Sequence, residues 1–82
     1  MIASTENKGF HLTFTNGYSI SVQFGKGNYC SNRHRNDTPA HIYSCKDAEV
    51  AYWKGEDKDN IVIEAYCDAN QVAEIINHVC KL

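Results

Sequence analysis

The clearest pattern in the chain is a pair of short alternating segments that meet at Asn16-Gly17. Apolar residues occupy every second position from Phe10 to Phe14 and again from Tyr18 to Phe24, and polar residues lie between them. A period of two is typical of strands that bury one face. Because Asn and Gly tolerate the positive φ angles of a two-residue type I′ turn, the sequence predicts a β-hairpin here.

Two further strands and a helix are predicted towards the C-terminus. Residues 48–53 and 61–66 alternate in the same way, and the charged segment 54–60 between them is predicted to be a turn. Asp68 and Gln71 have the spacing of a capping box at the start of a helix. The apolar residues that follow at helical spacing are Val72, Ile75, Ile76, Val79 and Leu82. The predicted fold is therefore α+β, a four-stranded antiparallel sheet of two hairpins with one C-terminal helix packed on one face.

The rest of the chain lacks these periodic patterns. Residues 1–82 are predicted to form a single domain, in which residues 1–8, polar and without period, are a flexible lead-in. Residues 25–47 include the only proline, Pro39, and are predicted to be a long loop. Loops longer than about 12–15 residues in compact domains are commonly functional. We therefore expect the function to lie in this loop.

The sheet face opposite the helix is expected to stay uncovered. It is predicted to be polar in the first hairpin and to present Trp53, with Tyr66 as a further candidate, in the second. Aromatic side chains on an uncovered face are typical of protein interfaces and of base-stacking platforms. Trp53 is therefore the first candidate for an interface anchor, and the alternative is that it belongs to the core.

Composition and charge narrow the choice of partner. The chain is 43% hydrophobic and 22% charged, which is ordinary for a globular protein. It has no apolar run of the ~20 residues needed to span a bilayer and no signal-peptide pattern, so we expect a soluble, cytoplasmic protein without a membrane partner. The net charge of −2 is unevenly distributed, because residues 25–46 hold four basic residues and one acidic residue. A basic loop on an acidic body favours a partner of complementary charge.

The start of the loop has the composition of an anion-binding turn. Gly25-Lys26-Gly27-Asn28 follows a predicted strand, so its backbone N–H groups could face a phosphate. The alternative is a simple turn at the strand end, and the P-loop pattern is absent. The candidate residues for binding a partner or an anion are Lys26, Asn28, Tyr29, Arg33, His34, Arg35 and Trp53.

Cysteine and histidine residues in the loop raise the question of metal binding. Cys30, His34, His41 and Cys45 are residue types that zinc takes in tetrahedral sites, but their spacing differs from that of common zinc fingers. The favoured interpretation is a solvated loop with reduced thiols, and no cofactor is expected. A Cys/His pair drawn from this set lacks an orienting third group, so we do not expect an enzyme.

Two segments carry a resemblance to a group of known proteins. They are FTNGYSISVQFGKGNYC from Phe14 to Cys30 and AEVAYW at residues 48–53, together roughly a third of the chain. In these segments the chain resembles small uncharacterised proteins of phages and prophages. Such accessory proteins often act stoichiometrically, either blocking a bacterial defence protein, as anti-CRISPR proteins do, or sequestering a nucleotide signal. The resemblance implies no catalytic residues, and it implies the cytoplasm of an infected or lysogenic bacterial cell.

Three hypotheses about function follow. The first is a non-enzymatic protein that inhibits a bacterial antiviral defence protein by binding it through the long loop and the uncovered sheet face. The second is a binder of a nucleotide or nucleic acid, in which Lys26, Arg33 and Arg35 contact phosphates. The third is a minimal zinc-binding domain. The sequence leaves open whether the protein forms a homo-oligomer.

Overall fold

The structure of the chain is a computed structural model that describes residues 1–5, 8–34 and 44–82. In these ranges five strands form one antiparallel sheet in sequence order, followed by one helix. The strands are β1 (Ile2–Thr5), β2 (Gly9–Thr13), β3 (Tyr18–Gln23), β4 (Ala48–Lys54) and β5 (Asp57–Cys67), and the helix is α1 (Ala69–Cys80). The predicted α+β class, with an antiparallel sheet and a C-terminal helix, is confirmed.

The prediction of four strands is wrong, since the described residues form five. The additional strand is β1, which lies within the segment expected to be a flexible lead-in. Ile2 pairs with Leu12, and Thr5 pairs with Gly9. Ile2 is 79% exposed, so β1 is held by backbone pairing and contributes little to the core. Backbone pairing leaves no hydrophobic alternation in the sequence, and for that reason the pattern did not reveal the strand.

The first hairpin is present, but its turn differs from the predicted type I′ turn. Phe14 N donates to Tyr18 O at 2.8 Å, and Gly17 N donates to Phe14 O at 3.1 Å. Gly17 has a φ of 90°, whereas Asn16 is not among the described residues with positive φ. These bonds define a three-residue loop, a type I turn followed by a left-handed residue.

The Asn16 side chain explains why the turn takes this form. Its Oδ1 accepts a hydrogen bond from Tyr18 N at 3.0 Å, and its Nδ2 donates to Val79 O at 2.9 Å. Val79 lies in the last turn of α1, whose carbonyl groups lack partners within the helix. The hairpin therefore binds the C-terminal end of the helix.

The second hairpin joins β4 and β5 through a turn at Gly55, which has a φ of 58°. The predicted strands 48–53 and 61–66 lie within β4 and β5. Residues 57–60 were predicted to be part of the turn but belong to β5. Their charged side chains are compatible with a strand because residues 57–66 are exposed along their whole length.

The core lies between α1 and the centre of the sheet. Its buried members are Ile20, Val22, Ala48, Val50, Cys67 and Val79. The capping box is confirmed, because Gln71 N donates to Asp68 Oδ1 at 2.9 Å and Asp68 N donates to Gln71 Oε1 at 2.8 Å. Val72, Ile75 and Ile76 pack against the core as predicted, whereas Leu82 is half exposed beyond the helix end. No helix in the described residues is long and apolar enough to cross a membrane.

The width of the helix determines which strands stay exposed. A helix is about 10–12 Å across and neighbouring strands are about 4.8 Å apart, so one helix covers two or three strands. The core cluster draws its buried sheet residues mainly from β3 and β4. Residues 57–66 of β5 are exposed, and no helix of the described residues covers the sheet face opposite α1, called the open face below.

Candidate protein interface along β5 and the adjoining loop

The part of the loop that follows β3 is held together by its own hydrogen bonds. Gly27 N donates to Arg33 O at 2.9 Å, and Asn28 N donates to Gly25 O at 3.1 Å. Gly25 N donates to the Asn28 side-chain oxygen at 3.0 Å. These three N–H groups are therefore used inside the loop and are not presented to an anion. The nucleotide hypothesis, which places Lys26, Arg33 and Arg35 on the phosphates, stays a prediction.

A buried asparagine fastens this loop to the sheet. Asn32 is only 4% exposed, and its Nδ2 donates to Phe24 O at 3.0 Å and to Ser44 O at 2.8 Å. Both acceptors are backbone carbonyls, one just after β3 and the other shortly before β4. A buried amide with two such partners fixes the two ends of the long loop relative to each other.

The loop meets β5 at two tyrosines. Tyr66 N donates to Tyr29 O at 3.0 Å, and the side chains of Tyr29 and Tyr66 are 47% and 52% exposed. The Arg33 guanidinium lies 4.3 Å from the centre of the Tyr29 ring, and its Nη1 donates to Gly27 O at 3.0 Å. This contact places two half-exposed aromatic rings and an arginine at the end of β5, a combination typical of protein interfaces.

The backbone of Tyr66 is strained at this junction. Its φ is 53°, in the left-handed region, and it is the one non-glycine residue with positive φ among the described positions. The pairing of β4 with β5 shifts register between Ala48 and Val50, so β5 bulges here. A bulky residue in this region costs of order 1–3 kcal/mol and is found most often at functional positions.

Along β5, three consecutive aliphatic side chains are exposed. Ile61, Val62 and Ile63 have exposed fractions of 38%, 37% and 54%. Val62 pairs with Tyr52, which packs against the core, whereas Ile63 pairs with Ala51 on the open face. In the part of the chain that the structure describes, β5 is the last strand of the sheet and has no neighbouring strand on its outer side. The edge therefore offers backbone hydrogen bonds and apolar side chains together.

Trp53 lies on the open face, where the sequence predicted it. It pairs with Ser19, and its ring lies 5.9 Å from the His11 ring in an edge-to-face arrangement. Lys58 Nζ is 5.4 Å from its ring centre. Because Ser19 and Ser21 are small, the indole can reach across β3 to His11. These neighbours cover part of Trp53, and its role as an interface anchor stays a prediction.

The structure divides the predicted binding residues into two groups. Lys26, Asn28, Tyr29, Arg33 and His34 share the loop beside Tyr66, and Arg35 lies outside the described residues. Tyr29 N donates to Glu49 Oε2 at 3.3 Å. Trp53 is four positions further along β4 than Glu49, about 13 Å at the rise of a strand. The aliphatic run of β5 was not among the predicted binding residues, although its three successive β-branched residues, Ile61, Val62 and Ile63, are a signal in the sequence.

Two of the four metal candidates lie together in the described residues. Cys30 and Cys45 lie together, but their third neighbour is Asp47, and one ligand atom from each of the three lies within 4.8 Å of the others. His34 is exposed and does not belong to this group, while His41 lies outside the described residues. Asp47 was not among the predicted ligands, and the Cys-x-Asp spacing of Cys45 and Asp47 is its signal in the sequence.

Comparison of the chain with protein-family models, with curated proteins and with solved structures finds no match. The candidate interface is therefore argued from the geometry of this chain.

Proposed function

We propose that the chain is a non-enzymatic binding protein that pairs with an extended segment of a partner protein along the outer edge of β5. The observation that carries this proposal is the run of three exposed aliphatic residues on an edge strand, next to the Tyr29–Tyr66 junction. An extended segment added to a sheet edge gains backbone hydrogen bonds, and alternate side chains provide specificity.

The neighbouring loop extends this edge to the size that a specific complex needs. Residues 61–66 span about 20 Å, which gives a narrow contact by itself. A standard interface buries about 800 Å² on each partner. Tyr29 and Arg33 continue the surface beyond the end of the strand, and tyrosine and arginine are among the residues that contribute most to binding energy.

Charge suggests how the partner is oriented. The second hairpin carries five acidic residues, Glu49, Glu56, Asp57, Asp59 and Glu64, against Lys54 and Lys58. The described part of the loop carries Lys26, Arg33 and Lys46 against Asp47. A partner would complement this pattern with basic residues along β5 and acidic residues beside the loop. Such complementarity chiefly sets specificity and association rate.

The two buried cysteines, Cys30 and Cys67, are poorly suited to act as nucleophiles. Burial raises the pKa of Cys30 to about 11, and burial also raises the pKa of Cys67. A reactive cysteine requires a lowered pKa, because the thiolate is the nucleophile. The resemblance to phage accessory proteins then makes a bacterial host protein of an antiviral defence system the partner class that we propose, inhibited by stoichiometric binding.

A photo-cross-linking amino acid tests the surface in living bacteria that carry an antiviral defence system. Placed at Ile63 or at Tyr29, it is expected to give an adduct with one bacterial protein. Placed at Glu74, an exposed position on α1, it should give none. The captured protein should co-purify at one copy per chain and lose its activity when this chain is added.

Two matched substitutions then locate the interface. Ile63→Glu and Ile2→Glu each place a carboxylate at an exposed position of an outermost strand, one on β5 and one on β1. Both variants should melt near the temperature of the original protein, because exposed substitutions usually change stability by less than about 0.5 kcal/mol. Only Ile63→Glu should weaken binding of the captured protein, by at least tenfold.

Equal retention of the captured protein by both variants would refute the β5 interface. Adducts formed solely between copies of the chain would show that the partner is a second copy of the chain and not a host protein. A nucleotide that co-purifies, and is lost in Arg33→Ala but not in Ile63→Glu, would favour the second hypothesis instead.

A further inference from the structure

Two cysteines and an aspartate form a compact cluster at the base of the loop. Cys30 is 1% exposed and follows the glycine turn, whereas Cys45 and Asp47 are half buried and immediately precede β4. Cys45 Sγ is 3.5 Å from Asp47 Oδ1. The proposed interface does not use this cluster, called the thiol cluster below.

The spacing of the thiol cluster suits a small tetrahedral ion. Zinc binds cysteine sulfur at about 2.3 Å and carboxylate oxygen at about 2.0–2.2 Å, so its ligand atoms lie about 3.5–3.8 Å apart. The distance of 3.5 Å between Cys45 Sγ and Asp47 Oδ1 lies in this range. All three ligand atoms lie within 4.8 Å of one another, so shifts of about 1 Å or less would bring them to tetrahedral distances.

The carboxylate is already oriented by a neighbour. Ser31 N donates to Asp47 Oδ1 and Ser31 Oγ donates to Asp47 Oδ2, both at 2.6 Å. The hydroxyl bond is the main reason that the pKa of Asp47 is lowered, so the group is ionised at neutral pH. Hydrogen bonds that orient a ligand in this way are a regular feature of metal sites.

An entry path also exists. A cavity of about 360 Å³ is lined by Cys45, Asp47 and Cys67, with Val72 of α1 on its far side. An ion can reach the thiol cluster through this cavity, and a water molecule bound to it could occupy the fourth position.

We propose that Cys30, Cys45 and Asp47 bind a thiophilic divalent cation, for which Zn²⁺ is the best-fitting candidate. Thiolate ligands select zinc over the oxygen-preferring ions Mg²⁺ and Ca²⁺. This inference does not depend on the proposed function. It keeps Cys30 and Cys45, two of the four ligands considered from the sequence, and adds Asp47. The bound ion would join the two ends of the long loop.

Binding requires both thiols to lose their protons. Burial raises the pKa of Cys30 to about 11, with smaller contributions from Cys45 and Asp47, so the thiol is neutral near pH 7 without the ion. Because the ion binds the thiolate form of cysteine, its binding releases protons. The apparent affinity should therefore rise with pH between about 6 and 8.

The test is titration of the full chain with Zn²⁺ and with Co²⁺ in the presence of a phosphine reductant. One equivalent should bind, with a thiolate-to-Co²⁺ absorption band, proton release and an increase in melting temperature. Cys45→Ser and Asp47→Asn should each weaken Zn²⁺ binding at least tenfold. Ser31→Ala, which removes one hydrogen bond to the carboxylate, should weaken it about tenfold.

The exposed Cys80, at the end of α1, provides the control. Cys80→Ser should bind Zn²⁺ as the original protein does. Absence of binding in the folded, reduced protein would overturn the proposal, and so would binding that persists in both Cys45→Ser and Asp47→Asn. Isolation of the protein with Cys30 joined to Cys45, seen as a mass lower by two hydrogens, would identify the pair as a disulfide instead.

Discussion

The centre of the sheet and its β5 edge use similar residues for opposite purposes. Ile20 on β3 and Val50 on β4 are fully buried beneath α1, whereas Ile63 on β5 is more than half exposed. All three are β-branched residues that favour strands. The difference is position in the sheet, because the helix packs mainly on β3 and β4 and β5 is buried only at its end, at Cys67.

This comparison separates stability from binding. The covered centre should contribute most of the folding free energy, since burial of apolar area is the dominant favourable term. The β5 edge contributes little to folding and retains apolar surface and backbone groups for a partner. Substitutions in the two regions should therefore affect different measurements.

The largest expected effect is in the centre. Ile20→Ala should lower the free energy of unfolding by about 2–5 kcal/mol, because it leaves a cavity under α1. Urea denaturation measures this directly, with Ile63→Ala as the matched control, expected to change stability by less than about 0.5 kcal/mol. Comparable losses of stability in the two variants would show that β5 is covered in solution. The centre and the β5 edge would then not differ in burial.

A smaller loss is expected where backbone contact holds the outer strands. A Cβ atom at Gly9 would overlap the carbonyl oxygen of Val22 on the neighbouring strand. Gly9→Ala should therefore force β2 away from β3 and cost about 1–3 kcal/mol, as overpacking does. Thermal melting checks this, and Thr13→Ala, at the other end of β2, serves as the control. An unchanged melting temperature in Gly9→Ala would mean that β2 and β3 lie further apart at this position than they do in the structure.

The attachment of the helix to the hairpin should contribute less. Asn16→Ala removes the hydrogen bonds to Val79 O and from Tyr18 N, and we expect a loss of about 0.5–1.5 kcal/mol. Amide hydrogen exchange should become faster in the last turn of α1. Asn77→Ala, an exposed position on the same helix, should leave exchange there unchanged, and similar exchange in both variants would contradict a fastening role for Asn16.

The smallest effect on stability is expected at Tyr66. In Tyr66→Gly, loss of the left-handed strain should raise the free energy of unfolding by about 1–2 kcal/mol. The conformational entropy that glycine loses when it folds into a strand should lower it by about 0.5–1 kcal/mol. Chemical denaturation should show a net change of about 1 kcal/mol or less, while binding of the proposed partner falls at least tenfold. Unchanged binding would remove Tyr66 from the interface, and a loss above about 2 kcal/mol would assign its ring to the fold.

Local patterns were sufficient for the covered elements. The alternation around Ile20 and Val50 predicted strands, and Asp68 with Gln71 predicted the start of the helix. In each case the information lies within a few residues, because burial on one face imposes a period and a cap satisfies groups one turn away. The candidate loop residues Tyr29 and Arg33 were also found from composition.

What the local patterns missed depends on distant contacts. β1 is held by backbone pairing, which leaves no trace in side-chain order, and the turn at Asn16 is shaped by Val79, 63 positions away. Asp47 joins Cys30 and Cys45 only after the long loop has closed.

The sequence by itself therefore determined the α+β class, the two hairpins, the capped helix and the basic loop. Tertiary structure alone decided that β5 lies at the edge of the sheet with its aliphatic residues exposed, and that two cysteines share a cluster with an aspartate. Whether a strand is central or outermost depends on which strands pair across the sheet. That pairing is a property of the assembled backbone, and the same β-branched run would have formed a core in the middle of the sheet.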